Sequence, residues 1–156
     1  MSYHTTSFIT LDKEVPSYEK NISICLGANG FSFSIVSTKN ELLSIGEIAI
    51  DDTASMAELI AFIKASLSEH NVPLFGFNKA SLIVCSPYFA WVPNALYETG
   101  NDKKYLDPIC KVPLGMGIYC DENELVDSRI VFAADNTVVS AFKIALPGLK
   151  VRSQHA

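Results

Sequence analysis

At 156 residues the chain is about the size of one average domain, long enough to bury a core of two or three layers. An apolar share of 49% against 19% charged residues excludes a disordered chain, and a net charge of -5 with scattered Lys and Arg argues against a nucleic-acid partner. No run approaches the roughly eighteen apolar residues that cross a bilayer, and the Ser- and Thr-rich start lacks a signal peptide's apolar stretch. The expectation is a cytoplasmic protein with no membrane partner.

Residues 1–20 read as an N-terminal arm with a weak pattern, in which Phe8, Ile9 and Leu11 offer a short edge strand ahead of Pro16. Residues 21–156 read as a single domain. It opens with two alternating runs, with Ile22, Ile24 and Leu26 on one face of the first strand and Phe31, Phe33 and Ile35 on one face of the second. Asn29-Gly30 between them predicts a hairpin, because both central residues of such a turn need positive φ and this pair supplies it cheaply. Ser32 and Ser34 alternate outward, so one face here is polar or lightly covered.

A turn at Thr38-Lys39-Asn40-Glu41 leads to a third strand over 42–50, and short connections predict a three-strand antiparallel meander. Asp51, Asp52 and Thr53 offer caps, Ser55 with Glu58 a capping box, and Met56, Leu59, Ile60, Ile63 and Leu67 a helical stripe. Asn71, Pro73 and Gly76 close that helix. The continuous apolar run over 80–85 then predicts a buried strand in a parallel position, stopped by Ser86-Pro87.

Tyr88-Phe89-Ala90-Trp91-Val92 is an aromatic segment, and Pro93 suits the first turn of a short helix through Tyr97. A loop with one helical turn is expected over 100–115, with Lys103-Lys104 as a solvated pair. Gly117 to Cys120 reads as a strand, Glu122 to Ser128 as a polar connection, and Ile130 to Ala134 as a buried strand. A final helix capped by Asp135 or Asn136 runs to Pro147-Gly148, and Leu149 to Arg152 make a last short strand. Strands followed by alternating helix and strand give an α/β layered fold.

The chemistry-bearing residues are sparse. Cys25, Cys85, Cys110 and Cys120 have no close spacing, and the first two lie in apolar strand runs, where buried free thiols are expected. His4, His70 and His155 stand beside none of them, so no metal site is expected. Ser86 has no His-containing motif around it and does not read as a nucleophile.

The element order, the hairpin and the segment from Ser81 to Tyr97, followed by Val131-Phe132-Ala133, together resemble an uncharacterised bacterial domain-of-unknown-function family with an actin-like ATPase, ribonuclease H-like fold. The likeness covers about residues 20 to 152 and implies a mixed central sheet that starts with the meander and carries helices packed on it. Members of that family are longer, so the chain looks like their amino-terminal half, without the second related subdomain. The wider actin-like superfamily keeps Asp-x-Gly at the first hairpin, where the carboxylate organises magnesium.

Aligned on Gly27, that acid position is Cys25, a soft ligand ill suited to a hard cation. Cys25, Gly27, Asn29 and Gly30 are then a degenerate phosphate loop, and no catalytic residue is assigned. Tyr88, Phe89, Trp91 and Tyr97 are interface candidates. The resemblance and the missing acid imply a noncatalytic protein-interaction or scaffold module, as a homo-oligomer or with a protein partner and no cofactor. The alternative is a nucleotide-binding ATPase whose ATP and magnesium site is completed by a second subdomain or a partner chain. A ribonuclease H-like nuclease would need converging carboxylates, and Glu47, Asp51 and Asp121 are scattered.

Overall fold

A computed structural model describes residues 5–11, 14–27, 30–50, 55–123 and 125–156. Among the described residues nine strands, in chain order, are β1 (Thr5–Thr10), β2 (Lys20–Leu26), β3 (Gly30–Ser37), β4 (Leu42–Ala49), β5 (Lys79–Val84), β6 (Phe89–Pro93), β7 (Met116–Asn123), β8 (Ser128–Asp135) and β9 (Lys150–Ser153). The helices are α1 (Met56–Glu69), α2 (Asp102–Leu106) and α3 (Asn136–Ala145). The expected α/β layering is present, on a six-stranded mixed sheet ordered β1-β4-β3-β2-β5-β9.

The meander forms as the alternation predicts, with β2 and β3 antiparallel and Ile22, Ile24, Phe31, Phe33 and Ile35 all buried. Its turn is centred differently from expectation. Gly27 N–H donates to Gly30 O at 3.0 Å, which brackets positions 28 and 29, and Gly30 itself pairs with Ala49 as the first residue of β3. Ala28 and Asn29 lie outside the described residues, as do the expected caps Asp51, Asp52 and Thr53. Glycine at position 30 answers to close approach: a Cβ there would stand 2.2 Å from the Ile48 carbonyl oxygen.

β4 follows a turn in which Asn40 takes φ 63° and Ser37 Oγ accepts from the amides of Lys39 and Glu41. The arm contributes β1, an edge strand antiparallel to β4, so it belongs to the sheet. Helix α1 begins at Ser55, whose Oγ accepts from Glu58 N–H and donates to Glu58 Oε2, and it ends beside Asn71 at φ 55°. Its buried face of Leu59, Phe62, Ile63 and Leu67 meets α3 and the apolar face of the sheet. Phe31 and Phe142 cross edge to face at 5.1 Å, a pairing worth about 1 kcal/mol beyond its buried area.

One feature departs from the single expected sheet. Strands β6, β8 and β7 form a second, three-stranded antiparallel sheet inserted between β5 and α3. Ser86-Pro87 ends β5 as expected, but Phe89–Pro93 then pairs with β8, and the expected helix is reduced to a 3-10 turn at Asn94–Leu96. β7 also extends through Glu122 and Asn123, residues expected in a polar connection.

Strand β8 is the reason a second sheet is stable there. Ile130, Phe132 and Ala134 join the main core, while Val131 and Ala133 join a second cluster with Leu106 of α2. A strand buried on both faces needs partners on both edges, which β6 and β7 provide. The two sheets are tied by Asp121 of β7, whose Oδ2 accepts from Arg152 Nε and from the Ser153 amide, each at 3.1 Å.

Candidate functional site

The carboxyl ends of β2 and β5 and the amino end of α3 border a cleft of about 530 Å³. Gly27, Gly30, Cys85, Ser86 and Asp135 are among its lining residues. Of the four residues of the degenerate loop, Gly27 and Gly30 border the cleft, Cys25 is not among its lining residues, and Asn29 lies outside the described residues. Such a position, beyond the carboxyl ends of strands, is where open α/β sheets commonly bind ligands.

The polar groups of the cleft are largely engaged in holding the fold. Asp135 is the one carboxylate among its described lining residues, and its Oδ1 accepts from Val138 N–H at 3.0 Å as the cap of α3. Ser86 Oγ donates to the Ala133 carbonyl and accepts from Tyr88 N–H at 3.1 Å, which pins the start of β6 to β8. A magnesium ion would meet here a carboxylate already in use and the thiol of Cys85, and thiols are poor ligands for a hard cation. Among the described residues no group of three or more His, Cys, Asp or Glu side chains comes together.

The thiols are a correction to the expected pair of separate buried cysteines. Parallel pairing sets Cys25 opposite Ile83, and Cys85 follows two residues later on the same face. Their sulfurs are 3.6 Å apart; Cys85 is exposed and Cys25 half-buried. Burial and, secondarily, the hydrogen bond with Cys85 push the Cys25 thiol above its ordinary value. At a separation of 60 positions no local spacing signals the pair; register between the two strand ends does.

The two described acids of the nuclease reading have separate surroundings. Glu47 is exposed on β4, Asp121 ties the two sheets, and Asp51 is outside the described residues.

The aromatic candidates are not gathered on one surface. Tyr88 and Tyr97 pack against the second cluster, and Tyr97 donates its hydroxyl to Asp102 Oδ1 at 2.7 Å, a bond that, more than burial, pushes its phenol well above the ordinary range. Phe89 stacks on the His155 ring at 3.9 Å. Trp91 is 47% exposed on the edge strand β6.

Three residues to which the sequence reading gave no surface role follow the Pro93 end of β6 or lie in the β7–β8 connection beside it. Asn94 donates from its backbone to Asp127 O and from its side chain to Asp127 Oδ1, holding the end of β6 against the β7–β8 turn. Leu96, Leu125 and Val126 surface there, exposed by 68%, 94% and 58%. The available signal was an apolar Leu-Val pair inside an otherwise polar connection.

Comparison with known proteins gives the same architecture. Residues 12–156 match a family described as "Protein of unknown function (DUF3822)". No curated protein matches the chain. A solved structure from Bacteroides thetaiotaomicron, described as a protein with actin-like ATPase fold and unknown function, superimposes with a TM-score of 0.74 at 21% identity. The match covers 89% of this chain and 53% of that one, so the chain spans about half the length of this solved relative. At that identity the likeness shows the fold, an actin-like ATPase fold, and the expected resemblance is upheld at that level.

Proposed function

We propose that this chain, which belongs to the DUF3822 family, is a noncatalytic protein-interaction or scaffold module built on the actin-like ATPase fold. The observation that carries this reading is the exposure of large apolar side chains on the second sheet: Trp91 on its edge strand β6, Leu96 in the turn after that strand, and Leu125 and Val126 beside Asp127, which Asn94 holds against the end of β6. Large apolar side chains exposed on one sheet favour association, and tryptophan is enriched among residues that dominate interfaces. The thiol at Cys25 and the helix-capping role of Asp135 support the noncatalytic half of the proposal.

The alternative is a nucleotide-binding ATPase completed by a second subdomain or a partner chain, and the cleft beside Gly27 and Gly30 is the observation in its favour. Light scattering of the chain over a concentration series, with and without Trp91→Ala, tests the first reading. Self-association that the substitution weakens supports it. A thermal shift with ATP and magnesium tests the second, because a ligand bound to the native state raises the midpoint by mass action. A saturable rise in the midpoint together with a monomer at every concentration overturns the proposal.

A further inference from the structure

We propose that Cys25 and Cys85 form an oxidisable dithiol that closes to an intramolecular disulfide by exchange with a low-molecular-weight disulfide, stapling the end of β2 to the β5–β6 connection at the mouth of the cleft. The proposal is independent of what the cleft or the second sheet binds. It stands on three placements. The sulfurs face each other at 3.6 Å, from two strands held in parallel register by their neighbours. Cys85 is exposed just past the end of β5, where an external disulfide can reach it. Cys25 is half-buried within β2, able to reach Cys85 and screened from bulky reagents.

Those differences assign the order of attack. The Cys85 thiolate attacks one sulfur of the external disulfide, forming a mixed disulfide and releasing the first small thiol, which takes up a proton. Cys25, deprotonated in its turn, attacks the Cys85 sulfur and releases the second. Two protein thiols are oxidised, one small disulfide is reduced to two thiols, and the exchange is reversible by the same route. Cys110 is half-buried with its thiol donating to the Leu106 carbonyl, and Cys120 is half-buried in β7, both packed against the second cluster.

Closure has a structural consequence. Cys85 and Ser86 both line the cleft, and Ser86 is fixed to β8 through Ala133. Linking Cys85 to Cys25 would add a covalent tie between neighbouring strands at the rim of the cleft, beside the paired Leu26 and Val84 that line it. Oxidation would stiffen that rim, and reduction would release it.

The test treats the reduced full chain with oxidised glutathione, quenches with iodoacetamide and maps the products by mass spectrometry. The expected first product is a Cys25–Cys85 cross-link, with Cys110 and Cys120 recovered alkylated. Cys25→Ser should accumulate a stable glutathione adduct on Cys85, and Cys85→Ser should leave Cys25 at least about tenfold less reactive than Cys85 in the native protein. Because the wild-type map needs no variant, a variant that fails to fold does not remove the test. Adducts spread over all four cysteines without a cross-link, or a cross-link that forms only in denaturant, would overturn the proposal.

Discussion

The two sheets of this protein use their faces in opposite ways. In the six-stranded sheet, large apolar side chains such as Ile24, Phe33 and Leu82 fill one face, where α1 and α3 pack, while Ser23, Ser32, Ser34 and Ser81 occupy the other. In the three-stranded sheet the central strand β8 is buried on both faces, one in the main core and one under α2. The first pattern leaves an open face on which the serines are interspersed with larger residues such as Ile45, Glu47 and Ile83, with the two thiols at the carboxyl ends of β2 and β5. The second makes a sheet with a buried centre, whose edge strand β6 carries the half-exposed Trp91.

Substitution should expose that contrast most sharply at Phe132, which is fully buried in β8. Phe132→Ala should cost about 3–5 kcal/mol in urea unfolding, whereas Ser34→Ala on the open face should stay within about 0.5 kcal/mol. Equal costs would mean that the two sheets do not differ as described.

The turn glycines give the next largest difference. Gly30→Ala places a methyl against the Ile48 carbonyl and should destabilise by about 1–3 kcal/mol, while a Cβ at Gly27 meets nothing closer than 3.7 Å. Gly27→Ala should therefore leave the unfolding midpoint nearly unchanged, and a loss at Gly27 equal to that at Gly30 would contradict the observed register.

Asp121 tests the join between the sheets. Removing its carboxylate leaves Arg152 and the Ser153 amide without that acceptor, and Asp121→Ala should cost about 1–3 kcal/mol. Trp91→Ala should have the smallest effect on stability, under about 1 kcal/mol, because the ring is nearly half exposed; its expected effect is on association instead.

What the sequence revealed follows the same division. The meander and α1 are read from period-2 and period-3.6 patterns, which record burial on one side, and both appear where expected; β5 is read from a continuous apolar run that signals burial on both faces, and it takes the expected parallel position but buries only alternate residues, Leu82 and Val84. β6 was legible only as an aromatic segment, because Phe89-Ala90-Trp91-Val92 shows no polar alternation and its partner β8 lies some 40 residues away, Phe89 pairing with Phe132. The site divides likewise. Gly27 and Gly30 could be placed at a strand end from local pattern alone, whereas the meeting of Cys25 with Cys85 depends on a parallel register that no local spacing encodes.

The proposed noncatalytic role requires that the sheet end beside Gly27 perform no nucleotide chemistry. Phosphate release from ATP with magnesium, measured on the reduced protein alongside Gly27→Ala, addresses it most directly. The account predicts release no faster than in buffer for both proteins. Sustained turnover by the wild type that disappears with Gly27→Ala would contradict it.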